Sequence, residues 1–180
     1  MNQLKKCIKK TIANKNFMET LNVLEELEVS VTKAFKEHFR KINDNDARVK
    51  ILRKYERAFK KAYGVNVEVR FLEAKHAKSM FIDKEIRGYY SPKRKLAIVF
   101  LDNDGYKIKR TLFHELTHAY QHQKMSRKFA ESRKLLREEK VTYEDSWHER
   151  HARHCAEILV NTEDYSFNLK YAENYELYKY

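Results

Sequence analysis

Two histidines four residues apart, with a glutamate directly after the first, are the residues of this chain best suited to chemistry. His114 and His118 lie in the segment Thr111-Leu-Phe-His-Glu-Leu-Thr-His-Ala-Tyr-Gln121. On a helix, residues four apart stand one turn above each other, so both imidazoles can bind one ion while Glu115 is turned toward a water on that ion. This His-Glu-x-x-His spacing indicates metal-assisted hydrolysis.

The residues around the motif predict the helix that it needs. The segment contains neither Pro nor Gly and follows a strand-like run, and its apolar positions are Leu112, Phe113, Leu116, Ala119 and Tyr120. A solvated helix with two incidental histidines has no need of apolar residues beside both of them. We therefore predict a helix from about Ile108 to Gln123 that is buried against a core.

A third metal ligand must come from elsewhere in the chain. A catalytic zinc normally takes three protein ligands and keeps its fourth position for water. On a continuous helix, His122 stands about 12 Å along the axis from His114, too far for both to bind one ion. The longer motif with a third histidine would need glycine at 121 and histidine at 124, where this chain has Gln121 and Lys124.

The segment 144–157 contains the remaining donors. Glu149 is the best geometric fit, because Ala152 and Ala156 share its helix face and would let this helix approach the histidine helix closely. His148 and His151 are competing candidates, since imidazole is also a good zinc ligand and both lie in the same region.

With these residues the chain resembles the zincin metallopeptidases, and within them the gluzincins. In that group the His-Glu-x-x-His helix is followed by a glutamate on a second helix, often in a Glu-x-x-Ala setting. The similarity runs from about Tyr89 to Ala156 and includes Glu149-Arg-His-Ala-Arg-His-Cys-Ala156. Many gluzincins have an acid four residues after the ligand glutamate, whereas this chain has Arg153.

The resemblance implies a zinc metalloendopeptidase that acts on proteins or peptides. Its Zn²⁺ ligands would be His114, His118 and Glu149, and Glu115 would be the general base. The strand before the ligand helix, Lys95 to Leu101, would pair with an extended substrate through main-chain hydrogen bonds.

SprT-like proteases, which associate with DNA, share the first motif and use a histidine as the last ligand. His148 would have that role here. Their usual Gly-His-Gly context is missing, so this is the second interpretation. A basic binding module with a structural zinc, and a helical scaffold without metal, are the non-enzymatic alternatives.

The expected reaction uses a zinc-bound water whose pKa falls to about 7. Glu115 would take its proton as the water attacks a peptide carbonyl, and would pass that proton to the leaving amine. The oxyanion needs a further donor, and spacing does not select one. The candidates are Tyr143, Tyr165, His148 and Arg153.

Length and composition predict a single, mostly helical domain. The predicted strands make it α+β, and the resemblance to zincins implies a zincin-like fold. The chain has 180 residues, a single proline (Pro92) and three glycines, which leaves no flexible linker and favours helix. We expect a helical N-terminal part (about 1–63), a zinc-binding core with a small three-stranded sheet beside the histidine helix (about 65–160), and a tyrosine-rich tail (164–180). The tail would pack over the domain or bind a partner.

Apolar periodicity places the individual elements. The predicted helices are Phe17 to Ile42, a second one that begins after Asn43–Asp46 and stops at Gly64, Arg127 to Lys140, and Trp147 to Val160; the predicted strands are 65–71, 88–92 and 95–101. The last strand is apolar throughout, which predicts that it is covered on both sides.

Charge and cysteine content narrow the possible partners and compartment. The net charge of +12 makes nucleic acid a possible partner, but the basic residues are interleaved with Glu along helices and no recognised nucleic-acid motif occurs.

Cys7 and Cys155 lack metal-type spacing and are expected to stay thiols. No run of 18 apolar residues occurs, so we expect a cytoplasmic protein that does not enter membranes.

Overall fold

The computed structural model describes residues 46–73, 86–101 and 104–174. These ranges contain helices α1 (Ala47–Tyr63), α2 (Gly105–Lys124), α3 (Ser126–Arg137) and α4 (Trp147–Thr162), strands β1 (Glu68–Glu73), β2 (Gly88–Ser91) and β3 (Leu96–Leu101), and a 3-10 helix (Leu169–Asn174). The expected α+β class with a small three-stranded sheet is confirmed. The predicted helix from Phe17 to Ile42 lies outside the described residues.

Helix α1 has the two ends that the sequence predicts. The Asp46 carboxylate accepts a hydrogen bond from the backbone N–H of Arg48, which is otherwise unsatisfied in the first turn. At the other end Gly64 has φ of 59°, a left-handed conformation that glycine adopts without a steric penalty from Cβ. The predicted stop at Gly64 is therefore confirmed.

The three strands form a mixed sheet in the order β1-β3-β2. Strand β3 runs parallel to β1 and antiparallel to β2, so that Val99 lies opposite both Phe71 and Gly88. All residues from Ala97 to Leu101 are buried. The prediction that this strand is covered on both sides is confirmed.

The sheet corrects one expectation drawn from the zincin resemblance. Because β3 is the central strand, its main-chain groups already pair with β1 on one side and β2 on the other. Lys95 to Leu101 therefore has no free edge for an extended substrate, and that prediction was wrong. Spacing along the chain shows that a strand is apolar, but pairing order is a property of the tertiary structure.

The first strand begins later than its alternating pattern predicts. Pairing starts where the N–H of Glu68 donates to the carbonyl of Lys95. Before that point, both backbone groups of Asn66 bond the side chain of Gln123 on α2. A helix side chain thus replaces the neighbouring strand as partner, and the ladder is shortened at this end.

Helix α2 is the central element, since it contacts the sheet, α1, α3 and α4. It begins at Gly105, where the side chain of Asp104 accepts from the N–H of Lys107. Its apolar residues Ile108, Leu112, Phe113, Leu116 and Ala119 are all buried. The predicted helix from Ile108 to Gln123 is confirmed and extends slightly at both ends.

The C-terminal part closes over the core. Helix α3 ends at Arg137, earlier than predicted, and Glu139 follows in a left-handed conformation with φ of 56°. Helix α4 begins at Trp147 as predicted. Of the tail, Leu169 and Ala172 are fully buried whereas Tyr171 is exposed, so the described part packs over the domain.

None of the described helices has the length and apolar character needed to cross a membrane.

Candidate metal centre

The two histidines of the motif project from the same side of α2, one turn apart. Their rings meet edge to face with centroids 4.6 Å apart, and their Nε2 atoms are separated by 3.0 Å. His118 is buried and His114 is partly exposed. Phe129 of α3 lies beside His118, with ring centroids 6.4 Å apart, and covers this side of the centre.

Helix α4 places Glu149 opposite these rings. Ala152 and Ala156 have no exposed surface, which permits the close approach of α4 to α2 that the small residues predict. One carboxylate oxygen of Glu149 lies 3.3 Å from Nε2 of His114, and the other lies 3.3 Å from Nε2 of His118. The carboxylate therefore bridges the two histidines.

These three side chains form a group that could hold a metal ion. His114, His118 and Glu149 each offer one ligand atom, and the three atoms lie within 4.8 Å of one another. They come from two helices and are separated by up to 35 positions in the chain. The structure thus brings together the set of ligands expected from the sequence.

The competing ligand candidates have other partners. His151 points away from the centre, where one ring nitrogen lies 2.9 Å from the Gln121 amide and the other 2.7 Å from the carbonyl of Leu169. His122 bonds the hydroxyl of Tyr90, as expected of a residue too far along α2. His148 borders the centre, but its Nε2 is 3.9 Å from Glu149 and it is not one of the three grouped ligands.

The charges of the three residues are strongly coupled. Burial alone would lower the pKa of His118, but the Glu149 carboxylate outweighs it and raises that pKa to about 9. Burial would likewise raise the pKa of Glu149, yet the positive His118 and hydrogen bonds from both imidazoles hold it well below its usual range. Burial lowers the pKa of His114. This strength of coupling is typical of functional sites.

Glu115 is buried beside the centre without an ion-pair partner of its own among the described residues. Burial raises its pKa to about 8, against an opposing effect of His118. Its side chain lies over Gly88 of β2, where an added Cβ would come within 2.6 Å of Glu115 Oε1 and within 2.6 Å of Thr111 Cγ2. Only glycine leaves room for the carboxylate at this point of the sheet.

An outer group of polar side chains supports the ligands. The hydroxyl of Tyr143 hydrogen-bonds Glu149, and burial together with that carboxylate raises the tyrosine pKa. Ser132 of α3 lies 2.9 Å from Nδ1 of His148 and accepts from its backbone N–H. Burial, and then the charge of His118, lower the pKa of His148 to about 3, so this histidine is neutral.

The four oxyanion candidates separate in space. Tyr143 and His148 border the metal ligands. Arg153 donates to the carbonyl of Glu144, and its charge acts on His114. Tyr165 instead packs against Phe113, with ring centroids 6.2 Å apart, on the side of α2 that contacts α1. The structure thus removes Tyr165 from the set.

Three residues of the site were not identified from the sequence. Gln121 is three residues after His118 and therefore on the same helix face, a spacing that could have revealed it. Gly88 is a glycine inside a strand, which signals the close approach of another group but not its identity. Ser132 gives no signal, since α3 meets α4 only in the folded chain.

Comparisons with known proteins do not assign this chain to a family. No family model matches it, and neither the curated proteins nor the solved structures include a match.

Proposed function

We propose that this protein is a zinc-dependent metallopeptidase of the zincin type, in which His114, His118 and Glu149 bind zinc and Glu115 is the general base. The observation that carries the proposal is the convergence of two imidazoles and one carboxylate from separate helices, with a second carboxylate, that of Glu115, buried next to them. Three protein ligands are the number that a catalytic zinc takes, whereas structural zinc sites normally have four.

The spacing of the donor atoms suits zinc. Ligands at about 2.0–2.1 Å from a tetrahedral zinc stand roughly 3.3 Å from one another. Here the two imidazole Nε2 atoms are 3.0 Å apart, and each lies 3.3 Å from a different oxygen of the Glu149 carboxylate. Nitrogen from histidine combined with carboxylate oxygen is also a donor set that zinc accepts.

The side chains around the ligands would supply proton transfer and stabilisation of the oxyanion. Bound zinc supplies Lewis acidity toward a carbonyl oxygen and toward water. Glu115 accepts a proton from the attacking water and delivers it to the leaving amine, because among the described residues it is the carboxylate beside the ligands that is not itself a ligand. Tyr143 and His148, which border the site, are the available hydrogen-bond donors for the oxyanion.

The test is to measure zinc content and peptide hydrolysis on the same protein. Wild type should contain one zinc per chain and cleave members of a mixed peptide library. Glu115→Gln should retain zinc and lose about 10²–10⁴-fold in hydrolysis, the usual contribution of a general base. Glu131→Gln, an exposed glutamate on α3, is the matched control and should behave as wild type.

Three outcomes would contradict the proposal. If Glu115→Gln cleaves peptides as fast as wild type, Glu115 is not the general base. Stoichiometric zinc with no cleavage of any peptide would support the structural-zinc module, and a protein without zinc would support the scaffold.

A further inference from the structure

Gln121 is a fully buried amide on α2, three residues after His118. We propose that Gln121 is the positioning residue of the metal centre, which holds His118 with Nε2 toward the other ligands and connects it to α4 and the 3-10 helix. This inference rests on the proposed role of His118 as a metal ligand.

The orientation of the Gln121 amide follows from a backbone group. Its Nε2 lies 2.8 Å from the carbonyl oxygen of His148, which can only accept a hydrogen bond, so the nitrogen end of the amide must face α4. The amide oxygen then faces Nδ1 of His118 at 2.9 Å. Because that oxygen cannot donate, the proton of the pair is on Nδ1, and Nε2 of His118 is the atom available to the metal.

The other end of the network leads to the same arrangement. Nε2 of His151 lies 2.7 Å from the carbonyl oxygen of Leu169 and must donate to it. A neutral His151 then accepts at Nδ1, which lies 2.9 Å from Nε2 of Gln121. Two backbone carbonyls, one at each end, thus specify the proton on Nδ1 of His118 and the proton on Nε2 of His151.

The physical consequence is that the Nδ1 proton of His118 is held in place, so the proton that leaves when a metal binds is the one on Nε2. A histidine without a partner at Nδ1 can carry its proton on either nitrogen, and only one of these forms presents a lone pair at Nε2. Partners of this outer kind typically change metal affinity by 10–100-fold. Gln121 is the residue that supplies this partner here.

A second glutamine on the same helix provides a matched control. Gln123 lies two residues further on, and its amide also bonds at both ends, accepting from the backbone N–H of Asn66 at 3.0 Å and donating to the carbonyl of Asn66 at 2.8 Å. These bonds support the segment before β1 and touch no metal ligand. Gln121→Leu and Gln123→Leu therefore both remove two-ended amide bridges, but only the first changes the environment of His118.

The experiment compares zinc affinity in the two full-length variants by competition with a chelator, together with their thermal unfolding. Gln121→Leu should bind zinc about 10–100-fold more weakly than wild type. Gln123→Leu should have a lower melting temperature and unchanged zinc affinity. Wild-type zinc affinity in Gln121→Leu would overturn the proposal, as would an equal loss of affinity in Gln123→Leu.

Histidine tautomers in the wild-type protein give a readout that does not depend on whether a variant folds. In long-range ¹H–¹⁵N spectra, His151 should carry its proton on Nε2, and zinc-loaded His118 should carry its proton on Nδ1. The opposite tautomer at either ring overturns the proposal. If the wild type binds zinc but cleaves no peptide, the peptidase proposal fails while these spectra still decide the role of Gln121.

Discussion

The two faces of helix α2 are stabilised in different ways. Toward α1 the helix presents aromatic rings: Phe113 contacts Phe59 at 6.3 Å, and Tyr120 contacts Tyr63 at 5.9 Å between centroids. Toward α4 it presents His114, His118 and Gln121, which are joined to their neighbours by directed hydrogen bonds. The first face is an ordinary core and the second has the properties of a site.

Hydrogen bonding distinguishes the faces most clearly. On the aromatic face, the buried hydroxyls of Tyr63 and Tyr165 have no hydrogen-bond partner within the described ranges. On the polar face, ring nitrogens of His118, His148 and His151 all have partners within 3 Å. Apolar contacts depend on the buried area and volume, so a hydroxyl without a hydrogen-bond partner is tolerated among them. A metal centre depends on the direction in which each donor atom points.

The largest expected effect is a loss of stability on the aromatic face. Phe113→Ala should lower the free energy of unfolding by about 3–5 kcal/mol, since a fully buried ring leaves a cavity between α1 and α2. Chemical denaturation measures the loss. The zinc affinity of the folded variant should stay near that of wild type, and a large loss of affinity would show that the two faces are not independent.

The next largest effect is a loss of zinc affinity on the polar face. Glu149→Gln keeps the volume but removes the charge between the two histidines, and zinc affinity should fall by more than the roughly 100-fold upper range of outer partners. Chelator competition measures it. Glu157→Gln, on the same helix and paired with Arg110, is the control and should bind zinc normally. Equal affinities in wild type and Glu149→Gln would exclude Glu149 as a ligand.

A third substitution tests the contact between the site and the sheet. Gly88→Ala places a Cβ where Glu115 Oε1 and Thr111 Cγ2 would be 2.6 Å away, so the carboxylate must move. We expect a loss of stability of about 1–3 kcal/mol and a larger relative loss of hydrolysis, with zinc retained. Gly105→Ala, which meets nothing within 4 Å, should leave both unchanged. Full activity in Gly88→Ala would mean that Glu115 need not occupy this position.

The substitution with the smallest expected effect is on the aromatic face. Tyr63→Phe removes a buried hydroxyl without a partner in the described part of the chain, so the stability should stay the same or increase by up to about 1–3 kcal/mol. Thermal unfolding measures the change. A clear destabilisation would mean that the hydroxyl is bonded after all, and that the aromatic face is as specific as the polar one.

Local features of the fold were predictable because they depend on neighbouring residues. The left-handed stop at Gly64, the cap at Asp46 and the apolar strand β3 all follow from residue type and spacing. The order of the strands did not follow, since it depends on which surfaces meet. The end of α3 at Arg137 was misplaced because the charged residues after it suit helix and turn about equally.

For the candidate site, the amino-acid sequence by itself determined the pair His114 and His118 with Glu115 between them, because a helix fixes the relation of residues one turn apart. The sequence favoured Glu149 but left His148 and His151 as alternatives. The packing of α4 on α2, where fully buried alanines permit close approach, groups Glu149 with the two histidines. The roles of Gln121 and Gly88 were likewise decided by the tertiary structure. Their partners lie on other elements, and no local pattern specifies a distance between elements.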